Sequence, residues 1–283
     1  MGHAATRSPS IADSLREYGR GLAGGLLFSL PLIYTMEVWW TGFIARPERL
    51  LVFLASVFIL LLGYNRYAGM RHDASWTEVV VDSVEELGLG LITAAFVLFL
   101  LGRIDVGMSF DEILGTVIIE AGIVAIGFSI GTAQLGDTDK KDSGMTGSRR
   151  QAASFAGQLV IAFCGAVLFA ANVAPTEEIV QIAIETSHAR LLGLAVFSLA
   201  IGALILFFSS FHQAQRVSVA EKPLDVIAGS AVTYAIALVA SAGILWFFGR
   251  FDGCALDICV RQTVVLGLPS VLGASAGRLL LQT

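Results

Sequence analysis

Leu100-Leu101-Gly102-Arg103-Ile104-Asp105 returns later in the chain as Phe247-Phe248-Gly249-Arg250-Phe251-Asp252. Each copy closes a long apolar run, and each is followed by an acidic loop and another apolar run. Arg103 and Arg250 are 147 residues apart, and nearly the same spacing recurs elsewhere. At 146, Gly127-Phe128-Ser129-Ile130-Gly131 falls on Gly273-Ala274-Ser275-Ala276-Gly277. At 141, Arg49-Leu50-Leu51 falls on Arg190-Leu191-Leu192, and Thr35-Met36-Glu37-Val38 on Thr176-Glu177-Glu178-Ile179. Four matches in chain order point to two copies of one unit. The period is far too long for a solenoid repeat.

Only 14% of the residues are charged and 55% are hydrophobic, whereas a soluble domain carries roughly 25% charged residues. With a mean hydropathy of +0.77 and apolar runs of near-spanning length throughout, the chain reads as an all-α polytopic membrane protein. Eight spans are predicted, at 20–43, 50–67, 78–101, 112–135, 151–174, 190–211, 225–248 and 261–281. They form two tandem parallel four-helix repeats, 20–135 and 151–283, joined by a polar linker at 136–150. Residues 1–19 form a tail and a lead-in helix, with Ile11, Leu15, Tyr18 and Leu22 at helical spacing for an interfacial position. No cleavage site follows the first apolar run, so it reads as a span and not a secretory signal.

Lys and Arg set the orientation. Twelve of them, including all three lysines, fall in the tails, the linker and the 66–71 and 216–222 loops; six fall on the opposite side. Both termini and the linker are therefore expected in the cytoplasm. An even number of spans per repeat makes the repeats parallel, with their pseudo-two-fold axis along the membrane normal.

Acidic residues inside spans are the informative feature, because an ionised carboxylate in hydrocarbon costs several kcal/mol or more unless it is paired, protonated or wet. Read by depth, Asp82 is inner, Glu85 and Glu86 come next, Glu120 is central, and Glu37 and Glu178 are outer. No arginine or lysine is expected at comparable depth. Such a row suits cations or protons, and Glu37, Glu86 and Glu120 are the candidate ligands for a hard cation such as Ca²⁺, Mg²⁺ or Na⁺. Pro31 and Pro175 precede the two Thr-x-Glu matches, and a proline in a span allows a broken helix where ions bind. The plain structural reading makes each Glu a protonated acid bonded to a neighbouring helix. For Glu178 it makes an N-terminal helix residue capped by Thr176.

Glycines 21, 24, 25, 127, 131, 273 and 277 mark close-packing faces. Arg103 with Asp105, and Arg250 with Asp252, read as helix-end ion pairs. Cys254 and Cys259 share one loop and could form a disulfide. The four histidines stand in tails or loops, so no haem pair exists; there is no His-Glu-x-x-His and no P-loop. The chain is thus expected to be no enzyme, to need no cofactor and to bind no nucleic acid. Its expected partners are membrane lipids and inorganic cations or protons, with a homo-oligomer left open.

Arg20-Gly-Leu-Ala-Gly-Gly-Leu-Leu-Phe-Ser-Leu-Pro-Leu-Ile-Tyr-Thr-Met-Glu-Val-Trp-Trp40 resembles a family of uncharacterised bacterial integral membrane proteins. The likeness extends through Glu85-Glu86 and Gly102-Arg-Ile-Asp. It implies a bacterial inner membrane and nothing about substrate. The residues themselves favour a cation channel or a cation- or proton-coupled transporter. A membrane scaffold or sensor for a protein or lipid partner, and a membrane enzyme acting on lipid, are the alternatives.

Overall fold

A computed structural model describes residues 11–69, 75–134, 155–213 and 223–280. The N-terminal tail and the polar linker lie outside the described residues. Those described form ten helices and no strand: α1 (Ile11–Ile33), α2 (Met36–Ile44), α3 (Pro47–Tyr67), α4 (Trp76–Leu100), α5 (Phe110–Gln134), α6 (Phe155–Val173), α7 (Glu177–Glu185), α8 (His188–Gln213), α9 (Pro223–Phe247) and α10 (Leu256–Leu280). Seven of these are long and apolar enough to cross a membrane, or eight if α1 and α2 count as one bent span.

Two sequence expectations need correction. The first span is not continuous over 20–43, because α2 leaves α1 at 85°. Pro31 has no N–H, and its ring crowds the carbonyl four residues back, so the helix weakens here. The lead-in helix is not a separate element, since α1 runs unbroken from Ile11 to Ile33. Finally, 177–185 is a nine-residue helix, α7, which agrees with the alternative reading of Glu178 as a helix start and not with a plain loop; it buries Ile179 and Ala183.

The recurring Gly-Arg pair has a clear structural role. Gly102 (φ 65°) and Gly249 (φ 71°) stand in the left-handed region just after α4 and α9. Arg103 N–H donates to the Leu98 carbonyl and Arg250 N–H to the Leu245 carbonyl, while each glycine N–H donates to the carbonyl three residues back. Both copies are Schellman stops, which satisfy the last carbonyls of an apolar helix. At their N-termini α4 and α5 carry reciprocal capping boxes, Ser75 with Glu78 and Ser109 with Glu112. We call the end bearing the Gly102 and Gly249 turns the turn end.

The expected ion pairs within each turn are absent. Asp105 accepts from Gly107 N–H, and Arg103 lies over the Trp39 ring at 4.6 Å. Asp252 accepts from Arg49 at 2.7 Å, across the two halves of the sequence. Cys254 and Cys259 are free thiols.

Helix α5 is buried along most of its length and packs against α1, α2, α3 and α4. Helix α10 packs likewise against α6, α7, α8 and α9. The α1–α5 crossing is made by glycines: a Cβ on Gly24 would stand 2.5 Å from Gly131 Cα, and one on Gly25 2.9 Å from the Val124 carbonyl oxygen. The α6–α10 crossing is closer still, through Gly165 and Gly273. The two halves meet where α6 packs on α1, α3 and α5, and where Phe53 stacks on Phe247 with ring centroids 4.2 Å apart.

Asn172 of α6 supports the last turn of α1 around Pro31. Its Nδ2 donates to the Phe28 carbonyl and its Oδ1 accepts from Leu32 N–H, at 2.9 and 3.0 Å. Those are the two groups that would bond each other in an uninterrupted helix. Unsatisfied backbone groups in an apolar interior cost several kcal/mol each, so Asn172→Leu is expected to lower stability by about 2–3 kcal/mol, within the range for stranded polar groups. Thermal unfolding of the purified protein in detergent would measure this, and an unchanged midpoint would remove Asn172 from that role.

Candidate functional site

Two acids are buried among the described residues, Glu86 on α4 and Glu120 on α5. Their surroundings differ. Glu86 Oε2 accepts from Asn65 Nδ2 at 2.7 Å. The same nitrogen donates to Ser83 Oγ at 3.1 Å, and Ser129 Oγ donates to Asn65 Oδ1 at 2.9 Å. Ser83 Oγ in turn donates to the Val79 carbonyl. A single amide thus ties α3, α4 and α5 together through Glu86. Neither Asn65 nor Ser129 was singled out from the sequence. A lone Asn within an apolar span is the signal that could have found the first.

Glu120 is fully buried, and neither carboxylate oxygen has a hydrogen-bond partner. Its direction follows from its neighbours one turn away on the same stripe of α5. Thr116 lies against Gly42 of α2, and Val124 against Gly25 of α1. Glu120 therefore faces the bend between α1 and α2. Ser29 of α1, one turn after Gly25, is also fully buried with an unbonded Oγ. From the Gly25–Val124 contact, Ser29 and Glu120 are each one turn further toward the turn end, because the helices are antiparallel.

The bend concentrates backbone acceptors. Thr35 Oγ1 donates to the Pro31 carbonyl, Thr35 N–H to the Leu32 carbonyl and Trp39 Nε1 to the Ile33 carbonyl. Each such oxygen keeps a second lone pair. The C-terminal end of α1, which carries partial negative charge, points into this region.

The other expected site residues lie apart. Glu85 is exposed and accepts from the Tyr18 hydroxyl. It is next to Glu86 in sequence but about 100° around the helix. Asp82 is half-buried one turn before Glu86. Glu37 is half-buried in the first turn of α2, beyond the bend. Glu178 is exposed in the first turn of α7, and Thr176 Oγ1 donates back to the Val173 carbonyl without capping that helix. Glu37, Glu86 and Glu120 do not converge: among the described residues no three His, Cys, Asp or Glu could hold a metal ion together. A small, partly open apolar pocket lies between the halves, lined by Phe28, Tyr64, Ile161, Gly165 and Leu168 among others, and none of the six acids lines it.

At the turn end, Asp252 is held below the ordinary carboxylate range by the hydrogen bond from Arg49, with the charges of Arg49 and Arg46 adding to it against partial desolvation. Both partners are partly exposed, and such pairs are worth about 0–1 kcal/mol. The pair guides the approach of the halves more than it fastens them.

Residues 17–281 match the family described as "Putative integral membrane protein (DUF2391)". The chain belongs to this family. No curated protein and no solved structure matches it. The resemblance read from the first helix is thereby established over nearly the whole chain, and the DUF2391 description agrees with the apolar helices. It assigns no activity, so function in this DUF2391 protein rests on its own side chains.

Proposed function

We propose that this protein is a cation- or proton-coupled membrane transporter in which Glu120 is the ion-carrying carboxylate. The observation that carries this reading is the complete burial of Glu120 with neither oxygen bonded, beside a broken helix. A stranded carboxyl lowers stability by about 1–3 kcal/mol, and a cost of that size is characteristic of functional sites. Intramembrane acids facing a helix break are the usual ion and proton ligands of carriers.

Glu86 supports a different part. Its bonds to Asn65, and through it to Ser83 and Ser129, are those of a structural lock. For Glu86 alone the scaffold reading is therefore favoured. Glu37 stands in the first turn of α2 and fits the approach to a site better than the site itself, while Glu85 and Glu178 are surface residues outside it.

The same reading includes a duplication, with α1–α5 and α6–α10 as the two units. It is supported by the parallel roles of α5 and α10, by the two Schellman stops and by Gly24 and Gly165, which are 141 residues apart and sit at equivalent crossings. Among the described residues only the unit 11–134 buries acids, so it would carry the ion while its partner braces it. A bacterial inner-membrane location with the polar linker in the cytoplasm follows from the resemblance and the Lys and Arg distribution.

Ion flux into proteoliposomes tests the transport reading, using Na⁺, K⁺, H⁺, Ca²⁺ and Mg²⁺ in turn. Wild type is expected to carry at least one of them. Glu120→Gln should reduce that flux to the level of empty vesicles, while Glu178→Gln leaves it intact. No flux for any ion from correctly folded wild type would refute transport.

A further inference from the structure

We infer that the α1–α5 seam beneath the α1–α2 bend binds one monovalent hard cation of about sodium size, with Glu120 and Ser29 as its side-chain ligands. The inference deepens the transport reading, which it needs only for the choice of Glu120 as ion site.

Three oxygens lack partners at this seam: both of Glu120 and the Ser29 hydroxyl. All are fully buried, so an unmet acceptor here is costly. A proton on Glu120 would serve one oxygen and create a donor that itself needs an acceptor. A cation seated between the two side chains would meet all three. The set is entirely oxygen, which suits hard cations and not the softer transition metals. The carbonyls of Pro31, Leu32 and Ile33, gathered at the C-terminal end of α1, are the natural source of further ligands.

The charge count selects a monovalent ion. Glu120 brings one negative charge, Arg103 over the Trp39 ring at the bend adds a positive one nearby, and the charged groups of the surrounding helices stand off from it. On α1, Glu17 and Arg20 are nine or more residues from Ser29, more than about 13 Å along the axis. On α2, Glu37 is half-exposed beyond the bend. On α3, Glu48 and Arg49 lie at the turn end, where Arg49 holds Asp252. On α4, Asp82, Glu85 and Glu86 lie on the other side of the Gly90–Ala121 contact from the turn end, with Glu86 engaged by Asn65. A divalent ion would be left with a full uncompensated charge in an apolar setting, a far costlier state.

The experiment uses the full-length protein in detergent, with thermal unfolding and calorimetric titration of NaCl against choline chloride at constant ionic strength. Sodium is expected to raise the unfolding midpoint saturably, as binding to the folded state alone requires, and to bind with unit stoichiometry. Potassium at the same concentration should give a smaller shift. Glu120→Gln should abolish the sodium response. Ser29→Ala, which leaves the charge and the fold's main crossing in place, should weaken sodium affinity about tenfold, near the value of one ligand bond. Glu178→Gln should bind as wild type does.

Absence of any sodium response in folded wild type would overturn the inference. So would an equal response to potassium, or a midpoint that follows pH through Glu120 while ignoring sodium. The binding assay is independent of flux. Sodium binding without transport would keep the site and refute the transporter, and transport of another ion without sodium binding would do the reverse.

Discussion

Gly165→Ala should unfold at a markedly lower temperature than wild type, with Gly273→Ala matching it. A Cβ on either glycine would stand 2.2 Å from the carbonyl oxygen of the other. No side-chain rotation relieves that contact, because both partners are backbone. The helices α6 and α10 must move apart, and the whole crossing loses its van der Waals contact and its close CH···O approach. Overpacking of this kind costs about 1–3 kcal/mol and occasionally more, and a rigid backbone obstacle belongs at the upper end. Gly88 and Gly243 are the controls, since a Cβ on either meets nothing within 4 Å. Alanine there should be neutral or stabilising by about 0.5–1 kcal/mol, the usual helix preference over glycine. Unfolding midpoints of the four variants in one detergent decide the matter. Equal behaviour of all four would show that the α6–α10 crossing is not a tight one.

The second large effect is a difference of sign between two glutamates. Glu120→Leu should raise stability by about 1–3 kcal/mol, because it replaces a stranded carboxyl with an apolar group of similar size. Glu86→Leu should lower it by a similar amount, because it leaves the buried Asn65 amide without its carboxylate. The comparison is made in choline buffer, so that no bound cation favours the wild type. Destabilisation of both variants would mean that Glu120 is bonded after all, and its role as ion site would fall with that. Stabilisation of Glu120→Leu together with loss of flux is the trade-off expected where a costly group is kept for its chemistry.

Much of this architecture is legible in the chain itself. The apolar runs place the long helices, since only a closed helix satisfies backbone polar groups in hydrocarbon. The recurrence of Gly-Arg marks where two of them stop, and both glycines adopt the left-handed conformation that such stops require. Gly24, Gly25, Gly127, Gly131, Gly273 and Gly277 lie at crossings, as small residues in spans are expected to. The helix α10 begins five residues earlier than the charge at Arg261 suggests. A basic residue marks an interface by its solvation and not by backbone geometry.

The bend at Thr35 was only half visible. Pro31 shows where a helix can break, but the 85° departure of α2 depends on a partner for the freed backbone. Asn172 provides it from 140 residues away. The short helix α7 is legible only in the alternative reading of Glu178 as a helix start, because a nine-residue element with three acidic positions is too short and too polar to read as a span.

What the sequence determines here is the set of helices, their order and their small-residue faces, because each follows from local periodicity and from the cost of exposed backbone in lipid. It also supplies six intramembrane or near-membrane acids, ordered only by depth, and from depth alone it groups Glu37, Glu86 and Glu120, which do not converge. Only the tertiary structure separates them. Glu85 and Glu86 part by one step of helical rotation, so one meets Tyr18 at the surface and the other a buried amide. Glu120 stands apart from both because the faces of α1, α2 and α5 close over it without offering a donor. Burial and partnership arise between elements, and a carboxylate carries neither in its own neighbourhood of the chain.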